Sequence, residues 1–254
     1  MENNKVLEFW ENLYSSEKLD VSLETIKDDS DFVKSFLDRV KGKEVLDLGC
    51  GRGYLTLLLA CHGARVTSID ISENACRATE QLLDKNINLL HGSKPEILCM
   101  DAMELEKLGE NRYDFIFGKF ILHHIEPFDR FAEKLACVTK PGGTLFFYEN
   151  SANNPILMFC RTFLVGRFGI PRYGDGVEMP LSNREVEELK KRFKVKVTIP
   201  RLVFFEMMNS YLFKGRAPFL MRWDEWCYQH LPLMRGWSYH QTIEMQKQRE
   251  QEMV

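Results

Sequence analysis

The chain of 254 residues has no run of about 18 apolar side chains, the least that a bilayer-crossing helix needs, so no spanning segment is expected. It has no surplus of positive charge either: Lys and Arg total 34 against 37 Asp and Glu, a formal net charge of −3. Nucleic-acid binding usually shows as a basic face or stripe, and none is evident. The seven cysteines are odd in number and make no Cys-x-x-Cys pair, which speaks against a disulfide or zinc framework. Several sit in apolar runs such as Ile97-Leu98-Cys99-Met100, where a thiol acts as a small hydrophobe; buried, reduced thiols are expected. The opening residues Met1-Glu2-Asn3-Asn4-Lys5 lack the apolar stretch of a secretory signal, which suggests a cytoplasmic protein. Internal repeats and low-complexity segments are absent. What remains, 44% hydrophobic and 28% charged residues, is ordinary for a globular chain. Its length suits one domain with an elaboration or a small lid.

Apolar periodicity then gives the organisation. Residues 5–14 and 31–40 read as amphipathic helices, the second with Phe32, Val33, Phe36, Leu37 and Val40 on one face. A short apolar run at 44–48 enters a glycine cluster, followed by a helix over 54–61 and a strand over 65–70. Ser72 is a plausible N-cap for a helix to about residue 85. Strands at 96–100 and 113–118, a helix at 128–138, a Pro141-Gly142-Gly143 turn and a fifth strand at 144–149 complete the series. Nearly all-apolar strands alternating with helices imply a parallel sheet covered on both faces, a doubly wound α/β core. Beyond residue 149 the rhythm breaks. A helix-like stretch at 156–165, a helix at 185–192 capped by Ser182, a strand at 193–199 that could continue over 201–205, a helix at 218–230 and a strand at 237–245 are expected. The two late strands would close the sheet as an antiparallel pair.

The segment Asp47-Leu48-Gly49-Cys50-Gly51-Arg52-Gly53 lies between a strand and a helix. Glycines there let backbone approach a ligand closely. Asp70 ends the second strand about 20 residues on, where an acid can accept hydrogen bonds from both hydroxyls of a ribose. Asp101 closes the third strand. Acids at the carboxyl ends of successive strands stand at the edge where α/β sheets bind ligands. A dinucleotide loop reads Gly-x-Gly-x-x-Gly, whereas this one reads Gly-x-Gly-x-Gly after Asp47. A carboxylate beside the loop suits a cationic ligand, an ammonium or a sulfonium, better than a pyrophosphate.

Val45 through Gly53 resembles the signature loop of the class I S-adenosylmethionine-dependent methyltransferases, of the small-molecule, UbiE-like type. Further resemblances follow in order: Ser68-Ile69-Asp70-Ile71-Ser72 to the ribose-binding strand end, and Cys99-Met100-Asp101-Ala102 to the adenine-binding segment. Residues 113–125 resemble the fourth-strand block, and Lys140 through Leu145 the turn into strand five. Phe9, Trp10 and Tyr14 look like the aromatic helix that covers the cofactor in this family. The resemblance implies a Rossmann-like, seven-stranded, mostly parallel sheet with an N-terminal helical cover over 1–40, a cofactor-binding core over 41–150, and an insertion after strand five with C-terminal strands over 151–254, all in one domain. It also implies S-adenosylmethionine as cofactor. Asp47, Gly49, Cys50 and Gly51 would cradle its methionine end, Asp70 and Ile71 the ribose, and Asp101, Ala102 and Met103 the adenine. Tyr14 and Lys119 would lie beside it.

Methyl transfer from a sulfonium is an in-line substitution, so the protein supplies orientation and, where needed, a base. His123 and His124 follow strand four and Glu149 ends the neighbouring strand five. A His paired with a carboxylate could remove a hydroxyl proton, and related O-methyltransferases use such a pair; either His could instead hold the backbone at the strand exit. Acceptor selection is expected over 150–179, where Phe159, Phe163, Leu164, Val165 and Phe168 are interspersed with Arg161, Arg167 and Arg172. That mixture suits a hydrophobic small molecule, neutral or anionic, or contact with a membrane surface, or a helix packed on the core. The Asn-Pro-Pro-aromatic string of base-modifying enzymes is absent after strand four, and no metal site is expected. O-methylation of a small hydrophobic metabolite is the expectation, with N- or C-methylation or a non-methylating reaction such as a cyclisation as alternatives.

Overall fold

The computed structural model describes residues 7, 8, 10–12, 14, 32–167 and 179–248. Seven strands form one sheet: β1 (Glu44–Leu48), β2 (Arg65–Asp70), β3 (Glu96–Cys99), β4 (Tyr113–Lys119), β5 (Thr139–Asn150), β6 (Phe193–Thr198) and β7 (His240–Lys247). Their order is β3-β2-β1-β4-β5-β7-β6. The first five run parallel, and β7 is antiparallel to both β5 and β6. The order reverses between β1 and β4, the crevice where open α/β sheets take ligands.

Helices cover both faces. On one side Val33, Phe36 and Val40 join Leu55 and Leu59 of α1 (Tyr54–Cys61) over Val45, Phe115 and Phe117. α2 (Glu73–Lys85) packs beside α1 through Leu82 and Leu83, and its N-cap Ser72 accepts a hydrogen bond from the Ala75 N–H. On the other side α3 (Phe128–Val138) and α5 (Asn183–Lys190) bury Phe131, Leu135, Val186 and Leu189 against Leu145, Phe147 and Ile243. α5 starts at a capping box, Ser182 with Glu185, which satisfies two otherwise unpaired N–H groups. α4 (Pro155–Phe163), α6 (Phe205–Leu212) and α7 (Phe219–His230) share a smaller core around Leu157, Phe204 and Cys227. Among the described residues no helix is long and apolar enough to cross a membrane.

Several local expectations are corrected. Pro141-Gly142-Gly143 is no turn before β5 but lies within it: pairing jumps from Tyr113↔Thr139 to Phe115↔Thr144, and Gly142 takes up the bulge at φ +80°. Residues 201–204 are irregular and 205–212 helical rather than strand. The buried Asp224 carboxylate accepts the N–H groups of Phe204, Phe205 and Glu206 at 2.8–3.1 Å, capping α6 from α7. β7 begins at His240, because Trp237 closes a short 3-10 turn, Pro232–Trp237. The expected helix at 31–40 is helical at Phe32 and Val33, then gives way to a turn and the 3-10 segment Leu37–Arg39. Cys99, expected to be buried, is exposed; the cysteines are free thiols. Phe9, Phe168 and Arg172 lie outside the described residues.

Candidate active site

The glycine loop is fixed from three sides. The N–H groups of Gly49 and Cys50 both reach the Ile69 carbonyl, at 2.9 and 3.0 Å. Gly51 N–H donates to Asp70 Oδ2 at 2.9 Å, and Thr79 Oγ1 of α2 donates to the Gly51 carbonyl at 3.1 Å. Gly51 sits at φ +52°, and a Cβ there would stand 2.8 Å from the Tyr14 hydroxyl oxygen. Backbone without side chain is therefore what lets Tyr14 close onto the loop. The described residues between 7 and 14 are helical, and Glu11 fastens them to α2 by accepting the Glu73 N–H at 2.6 Å.

A cavity of about 320 Å³ opens at the carboxyl edge of β1–β4, within the range of small-molecule sites. Gly49, Asp70 and Ile71 line one end, with Asp101, Ala102 and Met103 beside them. Asp101 is held in place by the Met103 N–H, which it accepts at 2.8 Å. Tyr14, Lys119 and His124 also face the cavity. Burial raises the Asp70 carboxyl above its ordinary value, partly offset by the Ser72 and Gly51 N–H groups. Burial, then the negative charge of Asp70, pushes the Tyr14 phenol up.

The structure places other expected residues elsewhere. Asp47 is fully buried beneath the loop, where Thr56 Oγ1 donates to its Oδ2 at 2.6 Å, and it does not line the cavity. Cys50 and Gly51 belong to the loop but not to the lining. His123 and Glu149 do meet, Nδ1 to Oε2 at 2.5 Å, yet their side chains are 1% and 0% exposed. The His facing the cavity is the next one, His124, whose ring stands edge-on to Trp10 at 5.3 Å. Sequence reasoning missed Phe120, Ile121 and Glu126, which also line the cavity. Phe120 has φ +55°, a backbone state that no feature of the sequence announces.

The methyltransferase-domain family matches residues 46–147. A Coxiella burnetii protein named ubiquinone biosynthesis O-methyltransferase is 37% identical over 117 residues, 45% of this chain and 46% of that one. A Bordetella pertussis protein of the same name is 30% identical over 121 residues, 48% of each. The chain thus spans about half the length of the curated relatives it matches. Among solved structures, the N-methyltransferase NodS of Bradyrhizobium japonicum, in complex with S-adenosyl-L-homocysteine, superposes with TM-score 0.62 at 13% identity, covering 96% of this chain and 98% of that one. The [4+2]-cyclase SpnF gives 0.60 at 17% identity, over 98% and 94%. Residues 46–147 thus resemble the methyltransferase-domain family, and the seven-stranded sheet that carries them has the Rossmann-like fold of these solved structures.

Proposed function

We propose that the protein is an S-adenosylmethionine-dependent methyltransferase that acts on an oxygen of a small, hydrophobic acceptor. The observation that carries this reading is the cavity itself: a glycine loop too crowded for side chains, in a lining that brings together Asp70, Asp101 and His124. The bound cofactor would supply an electrophilic methyl group on a sulfonium. Asp70 would accept from its ribose hydroxyls and Asp101 with Met103 would hold its base. Tyr14, Ile71, Ala102 and Lys119 would flank it, while the loop backbone from Gly49 to Gly51 would carry its amino-acid end. Asp47, sealed under the loop, holds Thr56 of α1.

His124 would take the acceptor's proton; its position in the cavity lining supports this role. His123 and Glu149 act behind it as positioning residues, holding the turn that presents it. The apolar lining from Met100, Phe120, Ile121 and Ile125 favours a hydrophobic acceptor. The name shared by the Coxiella and Bordetella relatives supports oxygen as the accepting atom.

Calorimetry on the full chain with S-adenosylmethionine and S-adenosylhomocysteine tests the cofactor. Both are expected to bind, and Asp70→Ala is expected to weaken both. Incubation with methyl-labelled cofactor and a panel of phenols, amines and thiols tests the acceptor atom. No uptake of either nucleoside overturns the reading, and binding with label transfer only to amines overturns oxygen as the target.

A further inference from the structure

Beside the cavity lies a polar cluster that the cofactor reading does not use. Tyr148 of β5 and His240, the first residue of β7, meet with the phenolic oxygen 2.7 Å from Nδ1. Both rings pack on Phe120, with centroids 5.2 and 5.5 Å away, and Phe120 and Lys119 line the cavity. The left-handed backbone of Phe120 is a strained conformation of the kind that gathers at ligand sites. Arg201, just beyond β6, pairs with Glu206 at 3.0 Å, its side chain half exposed; against burial, the charge of Glu206 and then the Tyr148 phenol hold its guanidinium above its ordinary value. Burial, then the charges of Arg201 and Lys119, pushes His240 down to about 4, so the imidazole is neutral at physiological pH and adds no charge of its own. Glu206 is the carboxylate against Arg201. Glu149 alternates to the opposite face of β5, where it bonds to His123. Lys119 and Phe120 line the cavity, and the phenol and the neutral imidazole stand behind Phe120, with the charges of Arg201 and Lys119 felt at His240.

We propose that this cluster is the subsite for an anionic end of the acceptor, a carboxylate or phosphate held by Arg201 and Lys119 while the apolar body passes Phe120 into the cavity. The inference rests on the methyltransferase reading and names its acceptor class: amphiphilic, with a hydrophobic portion and one anionic group. A guanidinium offers a planar pair of donors to either anion. The Tyr148 phenol near it is itself anchored on His240. Glu206 holds Arg201 from the other side.

The test uses the full chain saturated with S-adenosylhomocysteine, whose uptake is first checked by calorimetry. Benzoate and phenyl phosphate are the anionic probes, and benzyl alcohol is the neutral control with the same ring. One anionic probe at least is expected to bind about tenfold more tightly than benzyl alcohol. Arg201→Ala should remove that preference and Arg201→Lys retain part of it, with the affinity for S-adenosylhomocysteine unchanged in both. The bound anion should also raise the His240 titration midpoint seen by NMR, because it offsets the two cations. Equal affinity for charged and neutral probes, or a preference that survives Arg201→Ala, overturns the subsite alone. Failure of S-adenosylhomocysteine to bind overturns the subsite together with the reading beneath it.

Discussion

Glu149 holds His123 with one carboxylate oxygen and the chain after β4 with the other. Oε2 is 2.5 Å from His123 Nδ1, while Oε1 accepts the N–H groups of Ile121 and Leu122 at 2.9 and 2.8 Å. Both side chains are sealed from solvent, so these bonds stand where water cannot replace them. Leaving a buried donor unpaired costs about 1–3 kcal/mol. Glu149→Ala strips the partner from two amides and weakens the setting of His123, so it should lower unfolding free energy by about 2–5 kcal/mol. Glu149→Gln keeps one oxygen for the amides and should lose clearly less. Urea unfolding of the three proteins checks the order, and equal midpoints would remove the anchoring role.

The two neighbouring histidines should separate kinetically. His124 lines the cavity and His123 does not, and a general base typically contributes about 10²–10⁴ in rate. His124→Asn is expected to lower kcat within that range while leaving the affinity for S-adenosylhomocysteine within about twofold. His123→Asn should instead lower thermal stability and reduce kcat less. Turnover in His124→Asn equal to wild type would return the base assignment to another group.

Gly51 and Tyr14 form a contact that tolerates no side chain. A Cβ on Gly51 would lie 2.8 Å from the Tyr14 hydroxyl oxygen, on a backbone at φ +52°. The left-handed state costs a non-glycine residue about 1–2 kcal/mol, and Tyr14 must also move away. Gly51→Ala should therefore weaken cofactor binding by about tenfold or more, and Tyr14→Ala in the same background should recover part of the loss. Calorimetry on the single and double variants reads this directly. Additive losses would mean that the glycine and the tyrosine do not meet when the cofactor binds.

The α/β core was legible in the sequence because its signals are local. Residues 54–61, 65–70 and 128–138 carry their period, and their boundaries match the observed elements. Ser72 and Ser182 announce their helices by capping chemistry that one chain segment contains. The misplaced segments depend on distant partners. Residues 201–205 alternate like a strand, but Asp224, 20 positions away from Phe204, caps Phe204–Glu206 and starts α6. At the site, Asp70 and Asp101 were legible from their place at strand ends. Which of His123 and His124 faces the cavity was not, since adjacent residues in a short turn have no periodicity to read. The Tyr148–His240 contact spans 92 positions, and only the insertion of β7 beside β5 brings it about.

That same contact should be visible in the pH dependence of stability. His240 has an ordinary value of 6.5 and is pushed down to about 4 in the folded protein, by burial first and then by Arg201 and Lys119. Between these values the unfolded chain binds the extra proton more readily than the folded one, so stability falls with pH across that window. The contribution is intact above 6.5 and is lost in full once the pH has dropped through about 4. Asp70, whose carboxyl is raised by burial, acts with the opposite sign, because its folded form keeps a proton above the ordinary carboxylate range. The informative quantity is therefore the difference between wild type and His240→Gln, which leaves Asp70 untouched. Thermal melts from pH 7 downward should show the wild type losing stability faster than the variant between about pH 6.5 and 4. Parallel curves would mean that His240 titrates alike in both states, and that the two cations do not press on it.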